Sequence, residues 1–299
     1  MKQKMGDETD LRKGSRSKLL FHVEQKSMYP DFHQLGKTRH CNRLWNGCVK
    51  LARIICIANQ KGGVGKTTTA INLSAGIALG GQQTLLIDLD PQCNATSGLG
   101  HQPADRHPLV VSDPIRNSVL ATYDKNLQLL PGSRHFEDVG KLASGFGSHQ
   151  ETLRQHLNNA SGLYDYVVLD CPPSLGELTR TALAASNEVL MPIQCEYFAM
   201  EGLTQMIEVI RDVMQNELPT KLEFSGILLT MYDHQYELTH EVDEEVREFF
   251  GDIVFDAVIP RDVQVAEAAS HGVSIFEYAP RSRGARGYIE LSTEIMENV

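Results

Sequence analysis

An apolar run that passes without interruption into a glycine loop, a Lys-Thr pair and a helical pattern restricts this fold more than any other feature. Residues 54–74 read IICIANQKGGVGKTTTAINLS. Glycines at 62, 63 and 65 let backbone N–H groups turn inward with no Cβ in the way. The helix that follows adds the positive end of its dipole, which favours an anion at that point. Lys66 is placed to reach β- and γ-phosphates, and the Thr67 hydroxyl is suited to ligate Mg²⁺. Gly62, Gly63, Val64, Gly65, Lys66, Thr67 and Thr68 therefore form a candidate cradle for a nucleoside triphosphate.

The loop departs from the common spacing G-x-x-x-x-G-K-[ST], because Gln60 stands where the first glycine belongs. A second lysine, Lys61, precedes the glycine pair instead. A lysine this close to clustered N–H donors adds a cation to an anion-binding nest. Its competitor is an ordinary surface lysine beside a flexible loop.

From position 53 onward, short apolar runs alternate with amphipathic stretches. The pattern predicts strands at 53–59, 84–88, 127–130, 166–170, 188–193 and 225–230, with another near 253–258. It predicts helices at 66–79, 151–159, 176–185, 200–215, 239–250 and 284–296. Such alternation implies an α/β P-loop NTPase fold, with a largely parallel twisted sheet and helices on both faces. Ligands in that architecture sit at the carboxyl ends of the strands. Asp170 ends the run YVVLD and so emerges beside the glycine loop, suited to holding Mg²⁺ through water; otherwise it is a turn cap. Asp88 and Asp90 in DLDP project to the same side if the strand continues. Capping of the turn before Pro91 is the structural alternative for Asp90.

Charge divides the chain into two unlike parts. Residues 1–52 carry 11 Lys/Arg against 5 Asp/Glu, while 53–299 carry 17 against 33. The first part has few sustained apolar periods and reads as a basic, disordered extension or an over-extended start; a nucleic-acid-binding arm is the functional alternative. No apolar run approaches membrane-spanning length and no signal-peptide core is present, so a cytoplasmic location and no membrane partner are expected. The six cysteines form no C-x-x-C pair, which predicts reduced, mostly buried thiols. Cys41 and Cys48, with His33 and His40, match no standard metal spacing.

KGGVGKTT resembles the deviant Walker A box of the ParA/MinD superfamily. LLIDLDPQCNATSGLG and YDYVVLDCPPSLGELT are similar to the corresponding segments of ParA/Soj-like chromosome and plasmid partitioning ATPases. The resemblance continues in order through QCEYFAMEGL, GILLTMYD, VIPRDV, AEAASHG and YAPRSRGARGY, so it covers residues 53–299. It implies a Mg²⁺-dependent ATPase that forms an ATP-sandwich homodimer, works with a ParB-like partner and binds non-specific DNA, associating with the nucleoid. By resemblance, Lys61 is the signature lysine that reaches the partner's phosphates and Asp90 positions and activates the attacking water. Asp88 supports that site from behind, and adenine contacts fall on Pro260 and Asp262. Lys61, Lys66 and Asp90 are the catalytic candidates.

The resemblance weakens at the DNA surface. Where relatives carry arginines in segments like LTMYDART and IPRNVRL, this chain has Gln235 and Gln264, and Val273 stands where a lysine is common. Asp262 replaces an asparagine usual in the family. The remaining cation candidates are Arg261, Arg281, Arg283 and Arg286. The alternative function is a positioning ATPase that carries a protein cargo or scaffold with little DNA binding. A MinD-like membrane regulator would need a basic amphipathic C-terminus, whereas this one ends YIELSTEIMENV. A nitrogenase-iron-protein-like redox ATPase would need paired cysteines.

Overall fold

A computed structural model describes residues 52–110, 115–135, 153–157, 162–196, 199–216 and 222–297. The predicted extension at 1–52 lies outside these residues except for Ala52, and so do Cys41, Cys48, His33 and His40. Eight strands are found among the described residues: β1 Arg53–Ile57, β2 Thr84–Asp88, β3 Leu120–Ala121, β4 Leu127–Leu130, β5 Tyr166–Asp170, β6 Glu188–Gln194, β7 Glu223–Tyr232 and β8 Val254–Pro260. They form one sheet in the order β3-β4-β2-β5-β1-β6-β7-β8. Every neighbouring pair is parallel except β3 with β4.

The sequence explains the central strands directly. β2 and β5 are buried at every position, TLLID and YVVLD, as expected of parallel strands covered on both faces. Register then aligns their last residues, pairing Asp88 with Asp170 and Ile57 with Asp170. β1 lies between β5 and β6, so the chain builds one half of the sheet, then crosses β1 to build the other. That reversal opens a crevice at the carboxyl end of β1, where the glycine loop begins.

The helices are α1 Lys66–Leu79, α2 Asn94–Gly98, α3 Glu177–Ala185, α4 Ala199–Asn216, α5 Glu237–Phe250, α6 Val263–Ser270, α7 Ile275–Tyr278 and α8 Arg283–Glu297. Residues 153–157 are also helical, within the predicted 151–159 segment. Strand β3 and the short helices α2, α6 and α7 were not expected from periodicity, which is too weak over such short spans. Helix α1 is buried on nearly all sides, because the sheet covers one side and α8 packs on another. Its buried Asn72 is satisfied: Oδ1 accepts from Ile275 N at 2.8 Å and Nδ2 donates to Thr68 O at 2.8 Å.

Glycines set how closely α8 can approach. A Cβ at Gly284 would stand 2.2 Å from Val265 Cγ2, and one at Gly287 would stand 2.7 Å from the Val258 carbonyl oxygen and 3.1 Å from Pro260 Cδ. The obstacle at Gly287 is backbone of β8, which cannot rotate away. Gly287→Ala gains roughly 0.5–1 kcal/mol of helix propensity but meets an overpacking cost of about 1–3 kcal/mol. The expected outcome is a lower Tm by a few degrees with unchanged secondary structure, measured by thermal unfolding followed by circular dichroism.

Candidate functional site

The glycine loop adopts the backbone that its glycines permit. Gly63 has φ 76° and Gly65, the cap of α1, has φ 88° and ψ 22°, in the left-handed region that a side chain disfavours. Two side chains tie the loop to the sheet. Asn59 accepts from Lys61 N through Oδ1 at 3.0 Å and donates through Nδ2 to Pro192 O at 2.7 Å. The Thr230 hydroxyl faces the carbonyl oxygens of Val64 and Ile193, each at 2.9 Å.

Both lysines have partners within the chain. Lys66 is buried, and its ammonium donates to Lys61 O at 2.9 Å. Burial pulls its pKa below the ordinary lysine value, while the nearby carboxylates of Asp170 and Asp90 oppose the shift. Lys61 pairs with Glu196 Oε2 at 3.1 Å on a half-exposed surface, an ion pair of roughly 0–1 kcal/mol that is readily exchanged.

Three carboxylates gather at the ends of β2 and β5 in three different states. Asp88 is committed to structure: Oδ2 accepts from Thr96 N at 2.8 Å and Thr96 Oγ1 at 2.6 Å, and Oδ1 accepts from Asp90 N at 3.2 Å. Burial pushes its pKa up to about 6, against the hydrogen bonds from Thr96 and Asp90. Asp90 caps its turn, with Oδ1 accepting from Gln92 N at 2.9 Å. The turn-cap reading of Asp90 is thus met by Oδ1, and Oδ2 has no donor among the described residues.

Asp170 is the anomaly. It is wholly buried, and neither carboxylate oxygen has a hydrogen-bond partner. Burial is the largest cause raising its pKa well above the carboxylate range, and Asp88 and Asp90 raise it further. The Thr67 hydroxyl, which approaches the carboxylate just beyond ordinary hydrogen-bond geometry, and then the Lys66 ammonium offset part of that shift. A buried acceptor pair beside a threonine hydroxyl and a lysine, at the mouth of a phosphate loop, fits a hydrated divalent cation.

At the far side of the same edge, Asp262 spends both oxygens on helix starts: Oδ1 accepts from Gln264 N at 3.0 Å and Oδ2 from Gly284 N at 2.9 Å. This seam brings the first turns of α6 and α8 together. Arg261, Arg281, Arg283 and Arg286 are all exposed there, and Arg283 Nη2 donates to Arg261 O at 3.3 Å. Arg261 N donates to Tyr232 O at 2.9 Å, which brings in the β7–α5 turn with the exposed Gln235. Gln264 is exposed on the first turn of α6. The four arginines and both glutamine positions therefore belong to one end of the molecule. Sequence reasoning missed Asn59, Thr96, Glu196 and Thr230, because their partners are far off in the chain or lie on a helix too short to show a period.

The fold and the loop define a P-loop nucleotide-binding protein of the ParA/MinD type, and a family model described as an AAA domain matches residues 52–224. Soj, the sporulation initiation inhibitor protein of Bacillus subtilis, is 44% identical over 253 residues, covering 83% of this chain and 100% of the relative. The chromosome partitioning protein ParA of Myxococcus xanthus is 42% identical, covering 84% and 90%. A cobyrinic acid a,c-diamide synthase of Mycobacterium smegmatis, crystallised with an ATP analog and magnesium, superposes with TM-score 0.70 at 32% identity, covering 83% and 95%. The chain belongs to the ParA/Soj family of chromosome-partitioning ATPases.

The state of Asp170 has a measurable consequence. Raised above its unfolded value, this carboxyl contributes stability that is complete below about pH 4. The contribution is lost as pH rises through the folded pKa. Ligand-free Asp170→Asn is expected to match wild type at acid pH and to exceed it at pH 8 by roughly 1–3 kcal/mol, the usual cost of a buried polar group left unpartnered. Denaturant unfolding of both proteins across that range is the check. Parallel pH profiles would assign the charge effect to another group.

Proposed function

We propose that this chain is a Mg²⁺-dependent ATPase whose ATP-bound form is a homodimer that binds non-specific DNA and is switched by a ParB-like partner, so that its cycle moves or spaces replicons. The unpartnered, buried Asp170 carboxylate beside Lys66 and Thr67 is the observation that carries the reading. Mg²⁺, when bound, would supply positive charge that offsets the negative charge developing on the transferred group. The Thr67 hydroxyl and the Asp170 carboxylate are the residues that would hold the ion. Lys66 leaves the Lys61 carbonyl for the phosphates, and the amides around Gly62, Gly63, Val64, Gly65 and Thr68 donate to phosphate oxygens. Asp90 accepts a hydrogen bond from the attacking water and aligns it on the γ-phosphorus, and the bond to the β–γ bridging oxygen breaks, giving ADP and phosphate. Lys61 exchanges Glu196 for the phosphates of the partner subunit, supplying a cation where charge develops. Adenine rests against Pro260 and the backbone of Asp262, since that carboxylate is already committed to two helix starts.

Dimerisation and hydrolysis separate by mutation. With ATP and Mg²⁺, Lys61→Ala is expected to sediment as a monomer, whereas Asp90→Ala accumulates as a dimer that does not turn over. Identical sedimentation of the two variants would refute this division of roles.

The DNA surface is sparse in cations. Arg261, Arg281, Arg283 and Arg286 remain exposed, but Gln235 and Gln264 supply no counterion release. The expected outcome is weak ATP-dependent DNA binding with a shallow salt slope. Neutralising Arg281, Arg283 and Arg286 together should lower that slope by about 3 per protomer in contact with DNA, and Gln264→Arg should raise affinity. Filter binding over a salt series, with and without residues 1–52, is the measurement. Strong binding that survives both the deletion and the neutralisation would favour a different DNA surface. No detectable binding would favour the protein-cargo reading, which the missing arginines support.

A further inference from the structure

Thr230 occupies a place in the structure that no catalytic motif accounts for. It lies near the end of β7, is almost fully buried, and its hydroxyl faces two carbonyl oxygens, those of Val64 in the glycine loop and Ile193 on β6, both at 2.9 Å. Its methyl side faces the loop: a Cβ added at Gly65 would sit 3.9 Å from Thr230 Cγ2. The strand is distorted where this happens. Met231 has φ 51°, a left-handed conformation rare for such a residue, and the register with β8 shifts between Leu229 and Tyr232. Irregularities of this kind re-aim side chains beside functional sites.

From these contacts we infer that Thr230 is a positioning residue for phosphate binding: by holding the Val64 carbonyl, it aims the Gly65 amide at the nucleotide. The physical link is the planarity of the trans peptide unit, in which the C=O of one residue and the N–H of the next point in opposite directions. With Val64 O held toward β7, the N–H of Gly65 faces away from the sheet, into the mouth of the loop. Glycine at 65, with φ 88°, allows the chain to turn directly from that amide into α1. Without the hydroxyl, the Val64–Gly65 peptide loses its restraint. A flipped peptide would present a carbonyl oxygen, rather than an N–H donor, to an anion.

This inference rests on the nucleotide reading above, and the experiment separates the two. Mg²⁺-ADP affinity is measured by fluorescence titration with a labelled ADP for wild type, Thr230→Ser, Thr230→Val and Thr230→Ala, with the Tm of each protein recorded alongside. Thr230→Ser keeps the donor and is expected to bind within twofold of wild type. Thr230→Val and Thr230→Ala lack it and are expected to bind about tenfold more weakly, equivalent to about 1.4 kcal/mol. At saturating ATP, Thr230→Ala should keep most of its kcat while KM rises, because Thr230 touches no reacting atom. Thr230→Ala, the smaller replacement, covers the case in which valine prevents folding. A folded Val or Ala variant with wild-type affinity overturns the inference, and so does a Ser variant as weak as alanine. Wild-type protein that binds no ADP overturns the nucleotide reading and this inference together.

Discussion

A carboxylate placed at the end of a fully buried strand, with no donor to satisfy it, is the constraint around which this molecule is arranged. Asp170 ends YVVLD, and parallel pairing with β1 and β2 carries it into the buried strand edge between Ile57 and Asp88. A group in that position is costly unless something charged is brought to it. The glycine loop, Lys66 and Thr67 converge on the same point from β1. The fold thus holds an unfavourable carboxylate in place with the sheet, and on the proposed reading a cation and phosphates would offset its cost.

The neighbouring carboxylates show how environment separates chemically identical groups. Asp88 receives three donors and is used up in fixing the turn and α2, with Gly132 so close that a Cβ there would lie 3.0 Å from its carboxyl carbon. Asp90 gives one oxygen to its own turn. Asp170 gives neither. The order of commitment, structural to chemical, follows the number of backbone amides within reach of each group rather than its position in the motif.

The other end of the catalytic edge is organised by close backbone approach. Gly284 and Gly287 let α8 rest on α6 and β8, and Asp262 caps both helices across that seam. The arginines are therefore gathered by packing that has nothing to do with nucleic acid. The acidic balance of residues 53–299 means that these arginines act against the field of the body, so any DNA affinity on the proposed reading would be weak and would depend on each remaining cation.

The sequence alone determined the phosphate loop, the parallel α/β architecture and the carboxylates at its edge. Glycine spacing, buried β runs and a strand-ending aspartate are local signals whose physical causes lie within a few residues. The family resemblance it carries also implied departures at Gln235, Gln264 and Asp262. Only the tertiary structure decided that Asp88 is consumed by Thr96, that Asp262 joins two helices, that Lys61 rests on Glu196 and that Thr230 holds the loop. Thr230 is 166 residues from Val64, and Lys61 is 135 from Glu196. Hydrogen bonds of that span depend on which strands lie side by side, and strand order is set by the packing of the whole sheet rather than by any segment of it.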